Sequence, residues 1–556
     1  MAHRSRFGQS AESRGSQNAE QWLWNSKNSP NPGTNGFAAA EGVQVAWVLR
    51  SDSYAPRLQP PQVMAKDKRI SMHGQPEILK SNTTCRCSRG VGSYSLSTAW
   101  RQACAGLVVA TSLAWAVGLA HAQGNFGGGG LGAQAVGGIS IDAEGIIQNL
   151  DPKALEALAA TRRTALAEAA AVEPFGKIGK PTALRKVSLK RLIAAIEASA
   201  ATGQPLPPEV LFLGGLDRIT HLFVDPEGHD ILLAGPADKA AIDPAGNIIA
   251  AASGRPLLQL EDLIVALRAI DGARAGGIRC SIDPTLEGIT KLQQFLRNQK
   301  TIGPNPDTTL RSMEDALGSQ LVTVGGVPAD SRFARVMVAA DYRMKRIGMG
   351  LEPSGIPELP SYLAMVPSGG SSAASLPRFW LEATYDPIAR DPDELAYHIA
   401  GRRMKCLTES DLVGKDGMQR GKAPGDAIAV KWCAAMTAHY EKLALRQPVF
   451  SELLNCVDLA VVAALIHGRQ LDHLAGLDVS MLRDARRLPL PTYEAATTVP
   501  TVASGIKKGS RWIVSASGGV QFQPWGFASS TNESATVAAT RTASLASRPV
   551  DGWWWD

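Results

Sequence analysis

The chain reads as an α+β protein in which amphipathic helices pack on small antiparallel sheets, with more than one subdomain. Two observations predict this. Apolar residues recur at three- and four-residue spacing through several long stretches, the period of a helix with one buried face. Between them lie short β-branched runs closed by a recurring phrase, "SIDAEGII", "FVDPEGHDI" and "AIDPAGNII". The phrase has turn chemistry. Asp accepts from local backbone N–H groups, Pro or Ala suits the first central position of a type I turn, and Gly takes the left-handed residue that rejoins the strand. Asp142 with Gly145, Asp225 with Gly228, and Asp243 with Gly246 are therefore assigned to hairpin turns at exposed corners. A calcium loop needs several oxygens at alternating positions, which these phrases lack.

The elements follow in order. Asp151-Pro152 opens a helix marked by Leu155, Leu158 and Leu166. Ser188 caps a second helix, with Leu189, Leu192, Ile193 and Ile196 inward. Around its start cluster Lys177, Lys180, Arg185, Lys186, Lys190 and Arg191, either a solvated face or a contact for an acidic polymer. "GRPLLQLEDLIVALRAI" is a helix burying Leu260, Leu263, Ile264 and Leu267, and "CSIDPTLEGITKLQQFL" runs into another with Ile289, Leu292, Phe295 and Leu296. A helix ended by Gly318 precedes a strand. The long helix "DSRFARVMVAADYRMKRIGMGLEP" turns Phe333, Val336, Met337, Ala340, Met344 and Ile347 to one face, where its Met residues serve as core packing. "PSGGSSAASLP" reads as a loop. Strands are expected at 378–385 with a hairpin around Gly401, then two helices near 425–445 and 449–467 divided by Pro448. Beyond Leu488 the composition shifts to Thr, Ala and Ser. A last hairpin is expected to turn at Gly518-Gly519, and "DGWWWD" reads as a frayed tail, because three adjacent Trp cannot share one face. The division is 139–275 (N-terminal α+β region with the hairpin repeats), 276–325 (small α/β segment), 326–487 (C-terminal helical/β region) and 488–556 (tail).

The segment before residue 139 reads as an export signal. From Gln102 to Ala120 there is no charge, Arg101 stands before the run, and it ends in Ala120-His121-Ala122 followed by Gln123. As a helix, Cys104 to Ala120 spans roughly 26 Å, short of a bilayer core of roughly 30 Å. Residues 99–122 are thus read as a signal peptide cleaved after Ala122, with Ala120 and Ala122 as the small residues of the cleavage site, and 123–138 as a Gly-rich linker. Residues 1–98 are a disordered leader or sequence upstream of a later start. Of the chain's 57 Lys and Arg and 51 Asp and Glu, residues 1–122 hold 13 and 6, which leaves 44 and 45 after the cleavage site. With that balance no nucleic-acid partner is expected.

Four cysteines follow the signal: Cys280, Cys406, Cys433 and Cys456. They allow three disulfide pairings, among which sequence does not choose, or they are buried free thiols. No Cys-x-x-Cys pair, nucleophile elbow, phosphate loop or His-Glu-x-x-His motif is present after residue 122. His467 and His473 stand six apart, on opposite sides of a helix, so a shared metal would need a loop there. His221, His398 and His439 are isolated in sequence. Glu261-Asp262 and Glu314-Asp315 sit at helix starts, where they complement the dipole. No catalytic residue, metal site or cofactor is assigned.

The phrases "GGISIDAEGII", "LRKVSLKRLIAAI", "HDILLAGPA", "GRPLLQLEDLIVALRAI", "CSIDPTLEGI", "AADYRMKRIGMGLEP" and "PVFSELLNCVDLAVVAALI" together resemble, from about residue 135 to 485, a planctomycete family of exported proteins known as domain of unknown function 1598. The resemblance implies export and brings no activity or catalytic residues. The expectation is a non-catalytic envelope or surface component that binds or assembles. Its partners would be envelope proteins or polysaccharide, with membrane contact only through the export signal. The alternative is an exported hydrolase whose site is not visible as a linear motif.

Overall fold

The computed structural model describes residues 137–149, 181–243, 247–298, 306–367, 377–410, 412–414, 417–419, 426–506 and 511–556, with isolated positions between 153 and 180. The signal segment, Gly246, the loop at 368–376 and the residues marking the helix at 151–171 lie outside them. The fold is α+β, and the described residues lie within one compact unit.

The chain begins with a hairpin, β1 (Ile139–Ile141) and β2 (Ile147–Asn149), then β3 (Thr182–Ser188) and helix α1 (Leu189–Thr202). A second hairpin, β4 (His221–Asp225) and β5 (Asp230–Ala237), and a third, β6 (Ala240–Ile242) and β7 (Ile248–Ala250), lead to α2 (Leu260–Ala269). Next come β8 (Ile278–Pro284), α3 (Leu286–Asn298), α4 (Pro306–Leu317), β9 (Gln320–Gly325) and the long α5 (Arg332–Met349). Then follow β10 (Pro377–Thr384), β11 (Ile388–Arg390), β12 (Ala396–His398) and β13 (Arg403–Ser410). The small hairpin β14 (Leu412–Gly414) and β15 (Gly417–Gln419) precedes α6 (Ala427–Arg446) and α7 (Pro448–Gly468). The last part carries β16 (Thr498–Val499), β17 (Ser504–Ile506), β18 (Arg511–Ile513), β19 (Ser517–Phe522), β20 (Thr531–Glu533), α8 (Ala535–Ala546) and β21 (Trp554–Trp555).

Two mixed sheets organise these elements. The first has the order β13-β10-β19-β8-β9-β16, antiparallel except for β10 beside β19. The second has the order β20-β11-β12-β4-β5-β3-β21, antiparallel except for β20 beside β11. Its strands alternate in burial. Leu222, Val224, Ile231 and Leu233 face the main core, while Phe223, Leu232 and Ala234 meet Val537 of α8 and Trp555.

The three Asp turns form with one change of chemistry. Asp142 accepts from the backbone N–H groups of Glu144 and Ile146, and Gly145 is left-handed at φ +79. At the second turn Asp225 accepts from Gly228, but the left-handed residue is His229, at φ +51. Gly228 serves closeness instead, since a Cβ there would collide with the Asp225 carboxylate. Asp225 is not at an exposed corner: it is buried and ion-paired with Arg548 at 2.8 Å. Asp243 accepts from the backbone and side-chain nitrogens of Asn247.

Two further corrections concern the later chain. Gly401 is not a hairpin turn. It stands where the chain returns from the second sheet to the first, at φ +112, with Asp386 N bonded to Ala400 O at 3.1 Å across the crossover. Gly518-Gly519 is not a turn either. Both lie inside β19, where a Cβ would strike the carbonyl of Phe379 in β10 or of Cys280 in β8. The segments 276–325, 326–487 and 488–556 all supply strands to the first sheet, so these boundaries do not separate independent bodies.

Pro448 divides α6 from α7 as expected. Helix α7 is apolar nearly all round, long and apolar enough to cross a membrane. Here 94% of its most apolar window is buried, against α2, α5, α6, β13 and the short helix Pro524–Ser529. Helix α6 covers the outer edge of β13, where Thr437 Oγ1 accepts from Cys406 N at 2.8 Å. That contact blunts an edge strand otherwise open to pairing.

Candidate functional site: buried ion-pair clusters and a C-terminal clamp

Charged side chains gather in three clusters, each joining elements distant in sequence. The first lies between α5 and the first sheet. Lys345 Nζ donates to Asp341 Oδ2 at 2.8 Å and to the carbonyls of Ile282 and Gly518 at 2.9 and 3.0 Å. Nearby, Arg378 Nη1 donates to Asp283 Oδ1 at 2.9 Å. Asp341 is fully buried, and burial pushes its carboxyl up to about 7 against the pull of Lys345. The one-turn spacing of Asp341 and Lys345 puts both on one side of α5.

The second cluster is at the start of α5. Ser331 caps the helix, accepting from Ala334 N at 3.1 Å. Arg332, 3% exposed, bonds to Asp262 of α2 and reaches Glu452 of α7 at 3.0 Å. Burial opposes its charge, but Asp262 and Glu452 outweigh that and hold it protonated. Glu261 accepts from Tyr493 Oη at 3.0 Å, and burial, then the charge of Asp262, raise its carboxyl to about 7.

The third cluster reaches the surface. Arg403 begins β13 at φ +68, a strained conformation for a side chain of its size. Its guanidinium is 1% exposed and donates to Asp458 of α7 at 3.1 Å and to Glu441 of α6 at 3.3 Å. Tyr385 Oη donates to Asp458 at 2.5 Å, and Arg255 to Glu441 at 2.7 Å. At the outer side His221 and His398, on neighbouring strands, stack at 4.5 Å. Burial, then the charge of His398, lower His221 to about 4, so both rings are neutral at physiological pH.

In the basic cluster around α1, Arg185 and Arg191 are engaged by the chain's own C-terminus and Lys190 Nζ donates to Gly228 O, while Lys177 lies outside the described residues. Trp554 and Trp555 form β21 against β3. Arg185, fully buried, donates to Asp556 Oδ1 at 2.7 Å, to Gly214 O and to Lys180 O, and its guanidinium lies 4.4 Å from the centre of the Trp554 ring. Arg191 donates to the carbonyls of Pro549 and Gly552. Trp555 Nε1 donates to Ser544 O and Ser547 Oγ. The tail is therefore docked: alternate faces of β21 receive Trp554 and Trp555, which answers how adjacent Trp residues are accommodated.

Of the remaining candidates, Glu261 and Asp262 do more than complement a helix dipole: Asp262 holds Arg332, and Glu261 accepts from Tyr493. His467 pairs with Asp271 at 2.8 Å and packs edge-on against Trp525. Cys280, Cys406, Cys433 and Cys456 are buried free thiols, with the Cys406 and Cys433 sulfurs 3.3 Å apart. No group of three or more His, Cys, Asp or Glu side chains is arranged to hold a metal among the described residues. An open groove of about 470 Å³ is lined by Ile356, Pro357, Glu358, Lys442, Leu445 and Arg446. Sequence reading missed the His221–His398 pair because the two lie far apart in the chain; only strand pairing joins them.

Comparison with known families gives one match. A family described as a protein of unknown function, DUF1598, matches residues 280–362, which run from β8 through α5. The phrases "CSIDPTLEGI" and "AADYRMKRIGMGLEP" lie inside the match, and the other resembling phrases lie outside it. No curated protein and no solved structure matches the chain.

Proposed function

We propose that the chain is an exported envelope or surface component of a planctomycete that works by binding or assembly rather than catalysis, with envelope proteins or polysaccharide as its partners. The observation that carries this reading is where the reactive side chains are engaged. Asp262, Asp341 and Asp458 are at most 2% exposed, and each is bound to an Arg or Lys from the core. Such groups tie layers together and present no acid or base to a substrate. The signal-like segment at 99–122 supports export.

The test maps the N-terminal peptide of the native protein in cytoplasmic and envelope fractions by mass spectrometry. A terminus at Gln123, confined to the envelope fraction, is expected. Peptides from residues 1–60 on the intact protein would contradict it. A second reading, an exported hydrolase, draws on the His221–His398 pair beside Arg218 at the outer side of the third cluster. Turnover of ester, glycoside or phosphoester substrates that disappears in His221→Ala would establish it over the first.

A further inference from the structure

We infer that Cys406 and Cys433 are the one disulfide-forming pair of the exported protein and that Cys280 and Cys456 stay reduced. This rests on the export reading for its oxidising compartment. Cys406 lies in the edge strand β13 and Cys433 in α6, 27 positions apart, with sulfurs at 3.3 Å. Thr437 fastens the backbones of the same two residues. It accepts from Cys406 N at 2.8 Å and donates to Cys433 O at 2.8 Å. The approach is therefore built by the backbone and not by side-chain chance. Closing it to a bond of about 2.05 Å requires the sulfurs to approach by about 1.2 Å. The other two thiols sit apart, Cys280 beside Asp341 and Lys345, and Cys456 beside Asp262 and Arg332.

The step is thiol–disulfide exchange with a protein or small-molecule disulfide. One S–S bond of the oxidant breaks and the Cys406–Cys433 bond forms. The two thiol protons and two electrons pass to the oxidant, which leaves as two thiols. Both cysteines are nearly inaccessible in the fold, and burial, then contact with Cys433, pushes the Cys406 thiol well up. Exchange thus belongs to the period before α6 seals the edge of β13. Once formed, the bond is shielded from external thiols.

The test takes the native protein from the exported fraction and, separately, the full recombinant chain refolded in a glutathione redox buffer. Both are denatured and alkylated without reductant, then digested and analysed by mass spectrometry. A Cys406–Cys433 linked peptide is expected in both, about 2 Da lighter than the reduced pair, with Cys280 and Cys456 alkylated. The bond should resist dithiothreitol until denaturant is added. Cys280→Ala and Cys456→Ala should retain the link, and Cys433→Ala should leave Cys406 alkylated. Alkylated Cys406 and Cys433 in both samples overturns the pairing. A link in the refolded chain with free thiols in the native one overturns the export reading and, with it, the bond as the state of the natural protein.

Discussion

Helices α5 and α7 lie against each other in the core, yet they are stabilised by different physics. Helix α7 buries an almost continuous run from Leu453 to Ile466, apolar apart from Asn455 and the paired Asp458, so its stability comes mainly from apolar surface removed from water. Helix α5 buries Phe333, Val336, Met337 and Met344 but also Arg332, Asp341 and Lys345. Those charges are tolerated because each is paired: Arg332 with Asp262 and Glu452 across layer boundaries, and Asp341 with Lys345 one turn along, whose ammonium also reaches two carbonyls of the first sheet. The contrast teaches that buried charge here marks junctions: α5 contacts α2, α7 and the first sheet at the places where its charges are paired.

The largest expected effect separates the two mechanisms. Arg332→Met leaves Asp262 and Glu452 without their cation and should cost about 3–5 kcal/mol in urea unfolding. On the apolar side, Leu459→Ala in α7 should cost about 2–4 kcal/mol through the cavity it opens. Salt or pH should leave the second cost unchanged and alter the first; equal responses would erase the distinction.

A smaller effect tests pH. Glu261 holds its proton to about 7 in the fold, against an ordinary 4.5. Its contribution to stability is present below pH 4.5 and is lost as pH rises through 7, an amount of about 1–3 kcal/mol. His221 works in the opposite direction, neutral in the fold down to about 4 against an ordinary 6.5. Its contribution is present above 6.5 and is lost as pH falls toward 4. Glu261→Gln should therefore flatten the decline between pH 5 and 7 and leave the acid limb in place, as read by unfolding at a series of pH values. An unchanged profile would remove Glu261 from the account of α5.

The smallest single effect belongs to Asp556 in the C-terminal clamp. Asp556 is partly exposed, so Asp556→Asn should cost about 1 kcal/mol or less, whereas Trp555→Ala, which empties a buried site, should cost about 3 kcal/mol. Both are measurable by thermal denaturation.

These contrasts also show what the sequence made legible. The apolar period of α1, α2 and α5, the cap at Ser188 and the Pro448 break before α7 all report local preferences, and all appear in the fold. The β-pairing of residues 488–556 was not legible, because β19 enters between β10 and β8 through contacts with segments more than a hundred residues earlier. Gly518-Gly519 looked like a turn for a local reason and is needed for a non-local one: close strand approach. The buried clusters were hidden similarly, since Arg332 and Asp262, or Arg403 and Asp458, carry no mutual signal along the chain.

If the charges inside α5 hold layers together and perform no chemistry, their worth must be mutual. The direct measurement is a double-mutant cycle on Asp341 and Lys345, with Asp341→Leu, Lys345→Met and both together compared by urea unfolding at pH 8. Each single change should destabilise by about 2–4 kcal/mol, while the double change should cost no more than about 1 kcal/mol beyond the milder single, because no buried charge is then left alone. Costs that simply add would contradict a mutual role and reopen the cluster as a site whose residues act independently.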